Sequence, residues 1–241
     1  MGTQSQRMDK PSNVLIGLPK LPKVLIGLPS RGVIPHAFVE TMASALIGNG
    51  DLFEGMFAHA MFHVPDDARN TFVQTALDNN CDYLFMMDTD MTFQKGTLAT
   101  MIRHMANIEG DTPPVIGGIY CNRGSDFRWH VYEEVEDGWK SQTFPLKDGL
   151  KKVDAIGTGC MLIDLNVFKA IEWPWFEYEY KEINGKQDRL SEDMVFCRKC
   201  KEANIPIYAD TDIVCGHFLS ARVEPTDNGG YQVLTMGGEV L

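Results

Sequence analysis

The sequence predicts an α/β fold built on a doubly wound, mostly parallel central sheet. Three observations predict it. Apolar runs of strand length alternate with stretches of helical periodicity through the first half of the chain, the pattern of a parallel sheet with helical crossovers. One of those runs, Tyr83-Leu84-Phe85-Met86-Met87, is apolar throughout, as a strand buried on both faces must be, and it leads straight into Asp88-Thr89-Asp90. The 241 residues, 44% hydrophobic and 23% charged, suffice for an α/β domain with a sizeable core.

The first strand comes from a repeated segment. Val14-Leu15-Ile16-Gly17-Leu18-Pro19 recurs ten residues later as Val24-Leu25-Ile26-Gly27-Leu28-Pro29. A repeat that occurs once is not a solenoid. The second copy is taken as the first central strand, because the chain beyond it continues into a helix-like stretch. The first copy is then an extra edge strand or an arm. Pro29-Ser30-Arg31-Gly32 has the chemistry of a loop. Pro35 to Leu46 reads as a helix and Met56 to His63 as a second strand. Asp66 is the expected N-cap of a helix from Asp67 to Asn79, with Phe72, Val73, Ala76 and Leu77 on one face. After the strand Tyr83 to Met87 come a helix from Gly96 to Asn107 and a strand from Pro114 to Tyr120.

The second half has a different texture. Arg128 to Lys147 alternates aromatic and charged residues and reads as a small antiparallel hairpin. Val153 to Ile163 carries Gly157-Thr158-Gly159 between apolar residues, and Leu165 to Glu172 is a short helix. Trp173 to Arg189 shows no clear period. Ser191 is the expected N-cap of a helix reaching Ala203. Ile205 to Tyr208 and Ile213 to Cys215 are short strands, with His217 after the second. The chain therefore divides into an N-terminal arm (1–22), one domain (23–220) and a polar, loose tail (221–241).

Bulk properties exclude several roles. A formal net charge of -11 argues against non-specific nucleic-acid binding, which relies on clustered Lys and Arg. No apolar run approaches the roughly 20 residues of a transmembrane segment, and Met1 to Lys10 lacks the apolar middle of a signal peptide. Six cysteines are scattered along a chain able to build its own core, so they read as reduced thiols. Cys197-Arg-Lys-Cys200 has zinc spacing but no second pair. A soluble protein of the reducing cytoplasm is expected.

The chemistry concentrates in a few places. In extended backbone Asp88 and Asp90 lie on one side and Thr89 on the other. Ligands of open α/β sheets gather at the carboxyl ends of strands. Two carboxylates there repel each other unless a cation or proton joins them, and Mg2+ or Mn2+ suits both carboxylate and phosphate oxygens. The bland alternative is a loop cap. His217 offers a third ligand or is structural. Glu192-Asp193 opens a helix, where acidic side chains are favoured by the dipole alone; the functional alternative is that Asp193 takes a proton from an acceptor hydroxyl. Arg69, in a helix first turn, binds a phosphate or nucleobase edge or simply faces solvent.

Taken in order, these segments resemble the GT-A glycosyltransferases, especially the family-2-like enzymes that use nucleotide-sugar donors. The matching pieces are Leu28-Pro29-Ser30-Arg31, Ala68-Arg69-Asn70, Leu84 to Met91, Ile156 to Ile163 with its Gly157-Thr158-Gly159 turn, Ser191 to Cys197, and Ile205 to His217. They span roughly residues 24–218. The resemblance implies that Asp90 ligates a Mn2+ or Mg2+ ion, that Asp88 binds ribose or the ion, and that His217 is a further ligand. It implies that Asp193, with Glu192 beside it, stands at the acidic position that serves as catalytic base in inverting members, with an inverting or a retaining outcome both open. Pro29, Arg31 and Arg69 fall near the nucleotide pocket, and Gly159 in the turn lining the sugar or acceptor side. Trp173 and Trp175 either stack on an acceptor sugar or pack in the core. The implied partners are a UDP- or GDP-sugar donor and a saccharide or other hydroxyl acceptor.

Two other readings compete. A nucleotidyltransferase shares strand-end carboxylates, but its usual Gly-rich loop with Lys is poorly matched by Leu28-Pro29-Ser30-Arg31-Gly32. A non-catalytic nucleotide-sugar-binding module would keep the pocket and have no turnover for Asp193→Asn to remove.

Overall fold

The computed structural model describes residues 20–47, 52–123, 126–136, 138–183, 186–226 and 230–235. The first copy of the repeated hexapeptide lies outside them. The chain runs β1 (Lys23–Ser30), α1 (His36–Ile47), β2 (Glu54–Met61), α2 (Pro65–Asp78), β3 (Tyr83–Met87), β4 (Met91–Thr92), α3 (Thr97–Asn107) and β5 (Val115–Ile119). It continues with β6 (Val131–Val135), β7 (Gly138–Ser141), β8 (Leu150–Val153), β9 (Ala155–Ile156), β10 (Cys160–Asp164), α4 (Val167–Ala170), β11 (Glu179–Ile183) and β12 (Lys186–Leu190). It ends with α5 (Glu192–Glu202), β13 (Ile207–Val214), β14 (Gly216–His217), β15 (Ala221–Pro225) and β16 (Tyr231–Thr235).

Seven strands form the central sheet in the order β2-β1-β3-β10-β5-β13-β8. β1 is parallel to β2 and β3, and β13 to β5; β10 runs antiparallel between β3 and β5, and β8 is antiparallel to β13. The fold is the expected mixed α/β one, a large, mostly parallel sheet with small antiparallel sheets beside it. β6 pairs antiparallel with β7, the expected hairpin. Among the described residues no helix is long and apolar enough to cross a membrane.

The period-2 pattern of the strands sorts their side chains into two cores. Leu25, Leu84 and Met86 face α2 and α5 with Phe72, Val73, Phe196 and Cys197. Val24, Ile26, Leu28, Phe85 and Met87 face the opposite way, against Phe38 of α1 and Leu98 and Met101 of α3. Gly27 in β1 is where α2 comes closest: a Cβ there would lie 2.7 Å from the Phe72 ring. All six cysteines are free thiols, and burial pushes those of Cys160, Cys197 and Cys200 upward.

Several local expectations change. Asp66 does not cap α2. Val64 is the N-cap residue and Pro65 takes the first helical position, where its missing N–H leaves no bond unmade. Ser191 occupies the N-cap position of α5, but its hydroxyl donates to the Asp193 carboxylate instead of accepting from the backbone. The two short strands expected after Ile205 are one strand, β13, with a register shift between Asp210 and Val214. The aperiodic stretch before α5 contains the β11–β12 hairpin. Within the segment read as a tail, β15 pairs with β16.

Candidate functional site

The carboxyl ends of β1 and β3 open into a cavity of about 410 Å³. Four carboxylates line it (Asp88, Asp90, Glu192, Asp193), with three arginines (Arg31, Arg69, Arg123) and three histidines (His63, His130, His217). Pro29, Ser30, Thr89, Tyr120 and Thr158 complete much of the wall. Of the residues the sequence singled out, Pro29, Arg31, Arg69, Asp88, Asp90, Glu192, Asp193 and His217 all reach this one cavity. Gly159 stands behind the wall.

The Asp88-Thr89-Asp90 turn is held from three sides. The Asp88 N–H donates to the Gly159 carbonyl at 3.0 Å, and the Phe218 N–H to the Asp90 carbonyl at 2.8 Å. The Thr89 hydroxyl, buried as its alternation requires, donates to the Pro29 carbonyl at 3.0 Å and ties the turn to β1. The Gly157-Thr158-Gly159 turn owes its glycines to Tyr120. A Cβ on Gly157 would lie 2.1 Å from the Tyr120 hydroxyl. That hydroxyl accepts the Gly159 N–H at 3.0 Å.

Asp88 pairs with Arg69. Its two oxygens accept from Arg69 Nη1 at 3.3 Å and Nη2 at 3.4 Å, a two-pronged pairing. Arg69 Nε donates to Glu192 Oε1 at 3.1 Å, so one guanidinium bridges β3 and α5. Asn70 fixes the helix carrying it, exchanging two bonds with the backbone of Phe176 at 2.7 and 3.1 Å. Arg69 is only 4% exposed, so the solvated alternative does not apply. Burial alone would pull its guanidinium down; Asp88 and Glu192 more than offset this and hold it above its ordinary range. Glu192 is buried and its carboxyl is pushed up by that burial, with Arg69 opposing.

Asp90 and His217 do meet. β14 pairs with β4, placing His217 opposite Met91, and His217 Nε2 lies 3.7 Å from Asp90 Oδ2. His217 Nδ1 is 2.8 Å from the Cys121 carbonyl. A carbonyl only accepts, so Nδ1 carries a proton and Nε2 is the ring nitrogen turned toward Asp90. Arg123 Nη1 donates to the same Asp90 oxygen at 2.8 Å. Burial tends to raise the Asp90 carboxyl, but His217 and Arg123 outweigh it and hold it below the ordinary carboxylate range. Among the described residues no three His, Cys, Asp or Glu groups are arranged to hold a metal ion together.

Asp193 Oδ1 accepts from the Ser191 hydroxyl and, at 2.9 Å, from the Met194 N–H. Burial pushes its carboxyl up, with Ser191 and Arg69 opposing. The tryptophans separate: Trp173 is 71% exposed and away from the cavity wall, whereas Trp175 is buried edge-on to Phe168, its indole N–H on the Phe168 carbonyl at 3.3 Å.

Sequence reasoning missed Tyr120, Arg123 and His130. None stands in a motif; they are brought in by the β5 end and the strand β6. Tyr120 stacks on His130 (5.0 Å between centroids) and meets His217 edge-on at 5.5 Å. Burial, aided by His217, pushes His130 down from 6.5 to about 4. The unfolded chain takes up this proton near 6.5 and the folded one only near 4, so stability is expected to fall as pH drops through that interval. His130→Phe keeps a ring on Tyr120 and removes the titration. Urea midpoints from pH 7 to 4 should fall less steeply in the variant, and identical slopes would contradict the assignment.

No family model matches the sequence, and no curated protein does. Solved structures do share its shape. A197 from STIV aligns with a TM-score of 0.54 at 16% identity, over 92% of this chain and 93% of that one. GalNAc-T7, crystallised with UDP, GalNAc and Mn2+, aligns with a TM-score of 0.53 at 12% identity, over 83% of this chain and 44% of that chain. At these identities the likeness concerns the fold: this chain has a GT-A-like fold.

Proposed function

We propose that residues 23–220 form a divalent-cation-dependent glycosyltransferase that moves a sugar from a nucleoside-diphosphate donor to an acceptor hydroxyl. The observation that carries the reading is the convergence of Asp90 and His217 at the carboxyl ends of β1 and β3, beside Asp193 in one cavity. The donor set fits a hard or borderline cation. It combines a carboxylate held ionised with an imidazole whose outer nitrogen is pinned to a carbonyl, the usual support of a ligating histidine. GalNAc-T7, of the same fold, was crystallised with UDP, GalNAc and Mn2+, which supports a UDP-sugar and Mn2+ over other choices. Bound at Asp90 and His217, the ion would supply positive charge to the departing diphosphate.

The chain's own residues supply the rest. Arg31 and Arg69 give the cavity positive charge, and Asp88, clamped by Arg69, meets the donor's ribose or the ion. Asp193 is the base. Its Oδ1 is taken by Ser191 and Met194, leaving Oδ2 to receive the proton of the acceptor hydroxyl. The acceptor oxygen then attacks the anomeric carbon while the bond to the diphosphate breaks. The free thiols fit a reducing, cytoplasmic setting.

The test is a thermal-shift panel of UDP, GDP and their sugars, with and without Mn2+. One nucleotide should stabilise the chain with metal, by linkage, and EDTA should remove both that shift and any transfer. Activity undiminished in excess EDTA would reject metal dependence; no shift with any nucleotide would reject the donor class. One observation favours a binding module without turnover: the Asp193 carboxylate already serves the N-terminus of α5. Turnover measured with and without Asp193→Asn separates the two.

A further inference from the structure

Arg123 takes no part in the proposed transfer, yet it makes the shortest side-chain contact to Asp90. Its Nη1 lies 2.8 Å from Oδ2, the same oxygen that His217 Nε2 approaches at 3.7 Å. One stretch of chain brings both. The Cys121 carbonyl holds His217 Nδ1, and Arg123 comes two residues later. The base of that turn is pinned by the Cys121–Trp129 bridge and by the Asn122 N–H on the Arg128 carbonyl at 2.7 Å. The Arg123 side chain is 46% exposed, so it is free to leave its partner without unmaking the core.

A guanidinium and a divalent ion drawn to the same carboxylate oxygen compete for its lone pairs and repel each other. We propose that Arg123 is a resident counter-cation of Asp90, exchanged for the divalent ion on loading, and that the released guanidinium then binds the donor's diphosphate. This rests on the glycosyltransferase reading. Displaced from Asp90, Arg123 keeps its place on the cavity wall and its planar fork of donors, a match to phosphate oxygens. The exchange makes metal alone bind weakly and couples metal to nucleotide, since each completes what the other leaves unpaired.

The experiment measures Mn2+ alone by electron paramagnetic resonance titration, and UDP and GDP each in saturating Mn2+ by calorimetry. Arg123→Gln should tighten Mn2+ alone by about 2- to 5-fold, the worth of a half-exposed ion pair. It should weaken the nucleotide that binds by about ten-fold or more, the worth of a charge-assisted bond. Arg123→Lys, which keeps the charge and loses the fork, should leave Mn2+ near wild type and weaken the nucleotide less. Arg128→Gln makes the same change in net charge at a residue paired with Asp126, outside the cavity wall, and should move neither affinity. Both affinities moving the same way in Arg123→Gln, unchanged Mn2+ binding in it, or equal tightening by Arg128→Gln would overturn the exchange and leave the glycosyltransferase reading intact. A wild-type chain that binds no Mn2+ either alone or with UDP or GDP would overturn the reading and the exchange with it.

Discussion

Arg69→Met is expected to destabilise the protein by about 3–5 kcal/mol, the usual effect of stripping one partner from a buried ion pair. Arg69 is the only cation bonded to Asp88 and Glu192 among the described residues, and Glu192 is itself 6% exposed. Methionine fills the aliphatic volume but leaves both carboxylates uncompensated beside Asp193. At roughly 2–4 °C per kcal/mol for a chain of this size, the melting temperature should drop by about 6–20 °C. Adding Glu192→Gln removes one of the stranded charges, so the double variant should be more stable than the Arg69→Met single. The pair of melts distinguishes an electrostatic keystone from simple packing: equal melting of single and double variants would point to packing, and no loss in Arg69→Met would dismiss the bridge.

Asp193→Asn is expected to lower kcat by about 10²–10⁴-fold, the range of a lost general base, while leaving donor affinity in Mn2+ unchanged. The amide keeps an oxygen for the Ser191 hydroxyl and the Met194 N–H, so α5 should start where it does now. The pH profile adds an independent check. A base must be deprotonated, and burial pushes the Asp193 carboxyl up. The acidic limb of kcat/KM should therefore lie above the ordinary carboxylate range, with activity falling as pH drops through it. Unchanged turnover in Asp193→Asn would remove the base, and wild-type donor binding with no turnover in either protein would favour the binding module.

Much of the sheet was legible in the sequence because burial on both faces leaves a plain mark. Val24 to Leu28 and Leu84 to Met87 are strongly apolar runs, and the structure buries their side chains toward one helical layer or the other. The β11–β12 hairpin was not legible, because two small strands outside the central sheet need no strong period. The cap of α2 was misassigned because Asp66 and Val64-Pro65 both signal a helix start, and backbone geometry chose the second pair.

The candidate site divides the same way. The sequence by itself determined that carboxylates stand at the end of a buried strand, that an arginine lies early in the preceding helix, and that an acidic pair opens α5. Those are local facts of residue type and spacing. Only the tertiary structure decided their partners. It paired Asp88 with Arg69, and brought His217 to Asp90 through the β4–β14 pairing. It also delivered Arg123, His130 and Tyr120, which carry no motif. The physical reason is that a carboxylate takes whichever cation or donor the packed layers leave within reach. That neighbour is set by strand order and register across distant segments, not by the residues on either side in the chain.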